Sequence, residues 1–292
     1  MHTYLESIGF KSIKTRQDMD RLISSTVLHF DEKNFFRDEN GRMMGEFKKN
    51  YGPNIGLSVC GEFDDKGDYH PDYSYPYMKG RLVSSTDEIS FERHAGNESY
   101  AGVCDDPRLG VTLIFYVNNG PALISKSGPI AGKTKTSSVK LSALAREGTI
   151  ILPALTNEWW EKESKRITNE HTKLVSAARF GDEEAIESLT MEDMDTYSMI
   201  QQRVQNEDIL SIVDTTFMPN GVECDQYGVL GMIHRCEKVV NNYTNEKIWQ
   251  LEVHVNGLII DVSIHADRLY GEPAVNRRFK GNVWIQGEVI YI

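Results

Sequence analysis

Glu252, His254 and Asp261 flank an Asn256-Gly257 pair, and that spacing carries the most specific chemistry in the chain. Asn-Gly is the preferred centre of a two-residue hairpin turn, because both central residues need positive φ. The flanking WQLEVHV and LIIDVSI alternate apolar and polar residues, so the turn fixes the register. Val255 then faces Leu258, Val253 faces Ile260, Leu251 faces Val262 and Trp249 faces Ile264, all on one apolar face. On the other face Glu252 lies directly opposite Asp261. Like charges placed this way repel unless a cation, a proton or water intervenes. With His254 diagonal to Asp261, the set offers ligands for a divalent metal. Its oxygens favour Mg²⁺ or Mn²⁺ and its imidazole favours Zn²⁺. The two carboxyls could also share a proton. The competing reading is a solvated outer face on which the side chains splay apart and lose only about a few tenths of a kcal/mol.

A second constellation is His94, Cys104 and Asp105, within the polar stretch Glu92–Arg108. These are the residue types of a thiol nucleophile with a base and an orienting carboxylate. No protease- or transferase-type motif surrounds Cys104, so the competing reading is a charged link in which Asp105 and Asp106 cap a turn before Pro107. His234 and Cys236 share a strand face with Cys224 upstream, but they lack the paired ligand spacing of a zinc site. Gly128 to Thr134, GPIAGKT, has three residues where a P-loop needs four, and the following KTSSVKLS reads as strand, so the motif is rejected. Tyr73, Tyr75 and Tyr77 alternate near Tyr69. Such a face could stack bases or sugars, but packing is the commoner use.

The elements that must position these residues indicate an α+β protein. A helix-led β-rich domain is expected over 1–154, a helical insert over 155–220, and an OB-like antiparallel β-barrel or small sheet over 221–292. Thr15-Arg-Gln-Asp18 has capping-box character ahead of Met19, Leu22, Ile23, Val27 and Phe30 at helical spacing. Strands are expected at Ile55–Phe63 and Tyr69–Met78, joined by a DDKGD tip. Further strand candidates are Glu88–Glu92, Tyr100–Cys104, Val111–Val117, Val139–Leu144 and Thr149–Leu152. Residues 118–138 read as an exposed loop. In the insert, Trp160, Ile167, Leu174 and Ala178 form an apolar stripe, with Gly181 as C-cap and Asp182 as the next N-cap. Beyond it, Val229–Val240 reads as a long strand with Gly231 as a candidate bulge, and Phe279–Tyr291 as the last. Five barrel strands are found only by splitting that last segment.

The net charge of −11 is uneven. Residues 1–154 carry 19 basic and 20 acidic groups, 155–220 carry 6 and 14, and 221–292 carry 7 and 9. Seven acids and no base lie between Asp182 and Asp195. That segment could steer a basic protein partner, although helix outer faces are often acidic simply because they are solvated. Neither end is basic, which argues against nucleic acid. No secretory signal pattern opens the sequence, and the longest clean apolar run, Leu113–Val117, is far too short for a membrane helix. Four scattered cysteines are no disulfide scaffold. The expected location is the cytoplasm.

The segments FERHAGNESYAGVCDDPRLGV, AARFGDEEAIESLTMEDMDTYSMIQQRVQNED, VECDQYGVLG and RRFKGNVWIQG resemble a family of uncharacterised proteins from Gram-positive bacteria. The resemblance spans nearly the whole chain. It implies a cytosolic bacterial protein of unknown function and supplies no catalytic residues. The leading expectation is therefore a non-catalytic binding or scaffold protein. The alternatives are a metal-assisted hydrolase using Glu252, Asp261 and His254, a thiol enzyme around Cys104, or an oligonucleotide-binding module using Arg277, Arg278, Lys280 and Trp284. Apart from a divalent metal, no cofactor is implied.

Overall fold

The structure is a computed structural model that describes residues 3–291 except 39, 95–98, 107, 129, 131, 133, 154–173, 175–176, 179–181, 190, 192–214 and 222–223. The described residues are mostly β. A 3-10 turn at Leu5–Ile8 and helix α1 at Arg16–Leu28 lead into the antiparallel sheet β1 (Glu32–Arg37), β2 (Met43–Gly52), β3 (Ile55–Phe63) and β4 (Tyr69–Met78). Helix α1 starts where Thr15 accepts from the Asp18 N–H and the Asp18 carboxylate reaches back to Thr15 N–H, a complete capping box with Asp in place of the usual Glu. Its buried Met19, Leu22 and Thr26 settle on β2 and β3. The strands expected at Ile55–Phe63 and Tyr69–Met78 pair as the β3–β4 hairpin, with a register shift at Cys60/Gly61 and a tip tightened by Asp64 and a left-handed Gly67.

The second sheet holds β5 (Glu88–Arg93), β6 (Tyr100–Cys104), β7 (Leu113–Val117), β8 (Thr134–Ile151), β9 (Thr216–Pro219), β10 (Gln226–Val240), β11 (Lys247–Val255), β12 (Leu258–His265), β13 (Leu269–Tyr270) and β14 (Arg278–Tyr291). Residues 120–127, expected as loop, form helix α2 (Gly120–Ser127), whose Leu123 and Ile124 are buried. Gly120 and Pro121 at its start mimic a turn in sequence, but Pro is tolerated in the first turn of a helix, where its missing N–H has no intrahelical partner to lose.

The separate OB-like barrel expected over 221–292 is not formed. β10, β11, β12 and β14 complete their pairings only through β8, which comes from residues 134–151 and runs parallel to β12. The two strands expected at Val139–Leu144 and Thr149–Leu152 are parts of this single strand β8. The boundary drawn at 154 thus separates strands that lie in one sheet. β8 and β14 share an antiparallel ladder from Ser137–Tyr291 to Ile151–Arg278, with one shift at Asn282/Val283. No split of β14 is needed, because β8 supplies the missing strand. Gly231 is not a bulge either; the register shift falls at Ile233/Arg235, and a Cβ on Gly231 would lie 2.5 Å from Val253 Cγ1. There glycine serves close packing.

Two apolar cores follow. One lies within the second sheet, around Phe115, Leu141, Val253, Val262 and Phe279. The ring of Phe115 covers Gly102 and Gly287 on the flanking strands, where a Cβ would come within 2.3 and 2.4 Å of it. The other core lies between the sheets and joins Tyr51, Leu57, Tyr75 and Tyr77 to Leu144, Ile248 and Trp284. Tyr75 and Tyr77 therefore pack, as their alternation suggests. Most of the expected helical insert lies outside the described residues, including Trp160, Ile167 and Gly181. Within it Asp182 caps a helical turn by accepting from Glu184 N–H and Ala185 N–H, and Glu183, Glu184 and Glu187 are exposed. Residues 216–219, placed in that insert by the sequence, are strand β9. Among the described residues, no helix is long and apolar enough to cross a membrane.

Candidate functional site

The Asn256-Gly257 turn has both residues at positive φ, 47° and 76°, and β11 pairs β12 with Glu252 opposite Asp261 as the turn chemistry dictates. The charge conflict is resolved by a cation that the hairpin itself does not contain. Arg81, 180 residues before Asp261, donates its backbone N–H to Asp261 Oδ2 at 2.7 Å and Nε–H to Oδ1 at 2.8 Å, and Nη2 also contacts Oδ1. Nη2 lies 3.5 Å from Glu252 Oε2. Asp261 is only 2% exposed, so the guanidinium both balances the pair and satisfies a buried carboxylate. Burial alone would lower the Arg81 pKa, but the hydrogen bonds and charge of Asp261 raise it. A guanidinium occupies the place where a bridging metal ion would neutralise the pair. Among the described residues, no group of three or more His, Cys, Asp and Glu side chains is arranged to hold a metal ion.

His254 points its Nε2 at Glu252 Oε1, 3.2 Å away, and its ring stacks on His234 with centroids 3.6 Å apart and planes 9° from parallel. Partial burial and then the neighbouring His254 hold the His234 pKa below the ordinary histidine value, while Glu252 opposes the shift. Protonation is thus harder in the folded state than in the unfolded one. Stability contributed here is present above the unfolded-state pKa and is lost as pH falls through the folded-state value. Thermal melts should show a small decrease in Tm as pH drops from about 7.5 to 5.5, spanning the unperturbed value near 6.5. His234→Gln should flatten that decrease; an identical pH slope in the variant would refute the assignment.

The structure does not bring the thiol constellation together. Cys104 pairs with Ile89 at one end of the β5–β6 ladder, while His94 N–H bonds Ser99 O beyond the other end. Five residues of strand separate them, about 17 Å at the usual rise per residue. His94 instead bonds Ser99 and stacks on Tyr116. Asp105 accepts from Thr112 Oγ1 at 2.6 Å. Burial pushes the Cys104 thiol up to about 11, the direction opposite to activation. Asp106, fully buried, accepts from Arg108 N–H and Nε–H, while Arg108 also donates to Gly257 O and Ser84 O. The polar stretch therefore braces the hairpin turn. His234 is exposed at the bulge, whereas the Cys236 thiol turns to Pro273 O. Of the proposed oligonucleotide set, Trp284 is 5% and Arg278 2% exposed, which removes the ring and one cation from the surface.

A cleft the sequence did not reveal lies between β1, β2, β4, α2 and β14. Its volume is about 420 Å³, within the range of small-ligand sites. Lys33, Lys48, Lys79 and Lys126 line it together with Glu32, Glu288, Asn34, Asn118 and the ring of Tyr77. At its floor sits a buried polar network. Glu46, 0% exposed, accepts from Ser58 Oγ and Tyr75 Oη at 2.9 Å on Oε1 and from Asn34 Nδ2 at 2.9 Å on Oε2. Lys48 Nζ lies 3.5 Å from Glu46 Oε1 and donates to Asn118 O. The alternation in β2 could have flagged Glu46 and Lys48 as sharing one face. Nothing local shows that this face meets a second sheet.

No curated protein and no solved structure matches the chain. The model of one family, described as a domain of unknown function from an E. rectale gene, matches residues 5–287, across both sheets and the cleft. The chain belongs to that family of uncharacterised domains, DUF3881.

Proposed function

We propose that this protein is a non-catalytic binding protein whose ligand site is the cleft between the first sheet, α2 and β14. The observation that carries the reading is the cleft itself, a concave polar site of about 420 Å³ built on strands and a helix from distant parts of the chain. The two constellations that favoured catalysis supply less support. One carboxylate pair is engaged by Arg81, and the Cys104 thiol is remote from His94.

A ligand screen by protein NMR tests the proposal. Hits should perturb signals of Asn34, Tyr77 and Asn118 and should be lost in Ala122→Phe, which fills the cleft from the α2 side. Hits that cluster elsewhere, or that survive in Ala122→Phe with unchanged affinity, would remove the cleft as the site. A second surface rests on the exposed acids Glu183, Glu184 and Glu187, which support docking of a basic protein partner by electrostatic steering.

A further inference from the structure

We infer that the cleft engages its ligand through an anionic head group, a phosphate or a carboxylate; this rests on the cleft being the binding site. The chain carries a net charge of −11, yet four lysines and only two acids line this concavity. Lys79 is paired with Glu32. Glu288 lies opposite Lys140 in the β8–β14 ladder. Among the described residues, Lys33 and Lys126 have no acidic partner; Lys33 rests over the rings of Phe30 and Phe35, 5.4 and 5.5 Å from their centroids.

Lys48 sharpens the case. Its side chain is 6% exposed, and a buried ammonium needs compensation. Asn118 O takes one of its three protons. Glu46 lies at 3.5 Å, too far for a good charge-assisted hydrogen bond, and its two oxygens already accept from Ser58, Tyr75 and Asn34. The negative charge of Glu46 is thus spread over three neutral donors, leaving Lys48 with spare protons in the cleft. The ring of Tyr77 is a cation–π neighbour of both Lys48 and Lys79, with centroid distances of 5.2 and 6.0 Å. The Tyr77 hydroxyl donates to Asn50 Oδ1 and takes no part.

Helix α2 adds to this field. Its N-cap Asn119 makes no side-chain cap bond, because its amide is engaged in both directions with Val289. First-turn amides at the positive end of the helix dipole therefore stay uncapped beside Ala122, which lines the cleft. An anion seated there would meet two unpaired lysines, the undercompensated Lys48 and the helix start. A cation would meet mainly repulsion.

Calorimetric titration of the full chain at low ionic strength tests this, with pyrophosphate as the phosphate probe and citrate as the carboxylate probe. One or both should bind saturably at a single site, and the stronger identifies the head group. In Lys33→Gln/Lys126→Gln, whose exposed side chains leave the fold intact, affinity should fall about ten-fold or more. A charge-matched control, Lys247→Gln/Lys280→Gln on the second sheet, should bind as the parent does. Failure of both anions to bind overturns the inference. So does an equal loss in the control, which would mean attraction by overall charge only, or undiminished binding in the cleft variant. A neutral or cationic ligand found in the cleft by NMR would overturn the anionic class and leave the binding site standing. If no ligand of any charge perturbs the cleft, the underlying reading fails.

Discussion

Arg81→Met is expected to lower folding stability by about 3–5 kcal/mol, because it leaves a buried carboxylate without its cation. Three contacts hold Asp261 to Arg81, and only the backbone N–H bond survives the substitution. Glu252, directly across the ladder, then adds uncompensated repulsion. The charge explanation makes a second demand. Asp261→Asn in the Arg81→Met background should recover part of the loss, since a neutral amide can keep the backbone hydrogen bond and removes the buried charge. Urea unfolding of the two variants measures both effects. A loss below about 1 kcal/mol in Arg81→Met would show that the pair behaves like an exposed ion pair, contrary to its burial. If Asp261→Asn only deepens the loss, packing by the arginine stem, and not its charge, is what the hairpin needs.

Glu46→Leu should be at least as severe, about 4–6 kcal/mol, and worse than Lys48→Met, at about 1–3 kcal/mol. The asymmetry follows from the hydrogen-bond count. Removing Glu46 leaves the Ser58 and Asn34 donors without this acceptor, leaves Tyr75 Oη only its 3.1 Å contact to Asn118 O, and takes the counter-charge from Lys48. Removing Lys48 leaves Glu46 with all three of those donors. Chemical denaturation of each single variant gives the order. A Lys48→Met variant less stable than Glu46→Leu would mean that Coulomb attraction across 3.5 Å outweighs the three neutral bonds, and the account of an undercompensated Lys48 would fail with it.

Much of the local structure is legible in the sequence. The hairpin around Asn256-Gly257 is readable because positive-φ preference and period-2 alternation act over a few residues and leave one register. Thr15 and Asp18 are readable for the same reason, since a capping box closes within one helical turn. Helix α2 was hidden by Gly120, Pro121 and Gly128, residues that mark loops on average but here sit at helix termini, where they are tolerated. The strand count within 221–292 cannot show that the missing neighbour of β12 and β14 is β8, which ends 75 residues before β10 begins.

By itself the sequence determined that Glu252 and Asp261 face each other, and left open whether a cation, a shared proton or open solvent relieves their repulsion. Only the tertiary structure brings Arg81 against both carboxylates as a compensating cation. The same division applies to the cleft. Alternation in β2 places Glu46 and Lys48 on one face, but the gathering of Lys33, Lys48, Lys79 and Lys126 around Tyr77 depends on packing two sheets and a helix. Turn and strand preferences are set by sterics between near neighbours, so they survive in the sequence. Charge pairing depends on distance in space and on local dielectric, and neither exists until the chain has folded back on itself.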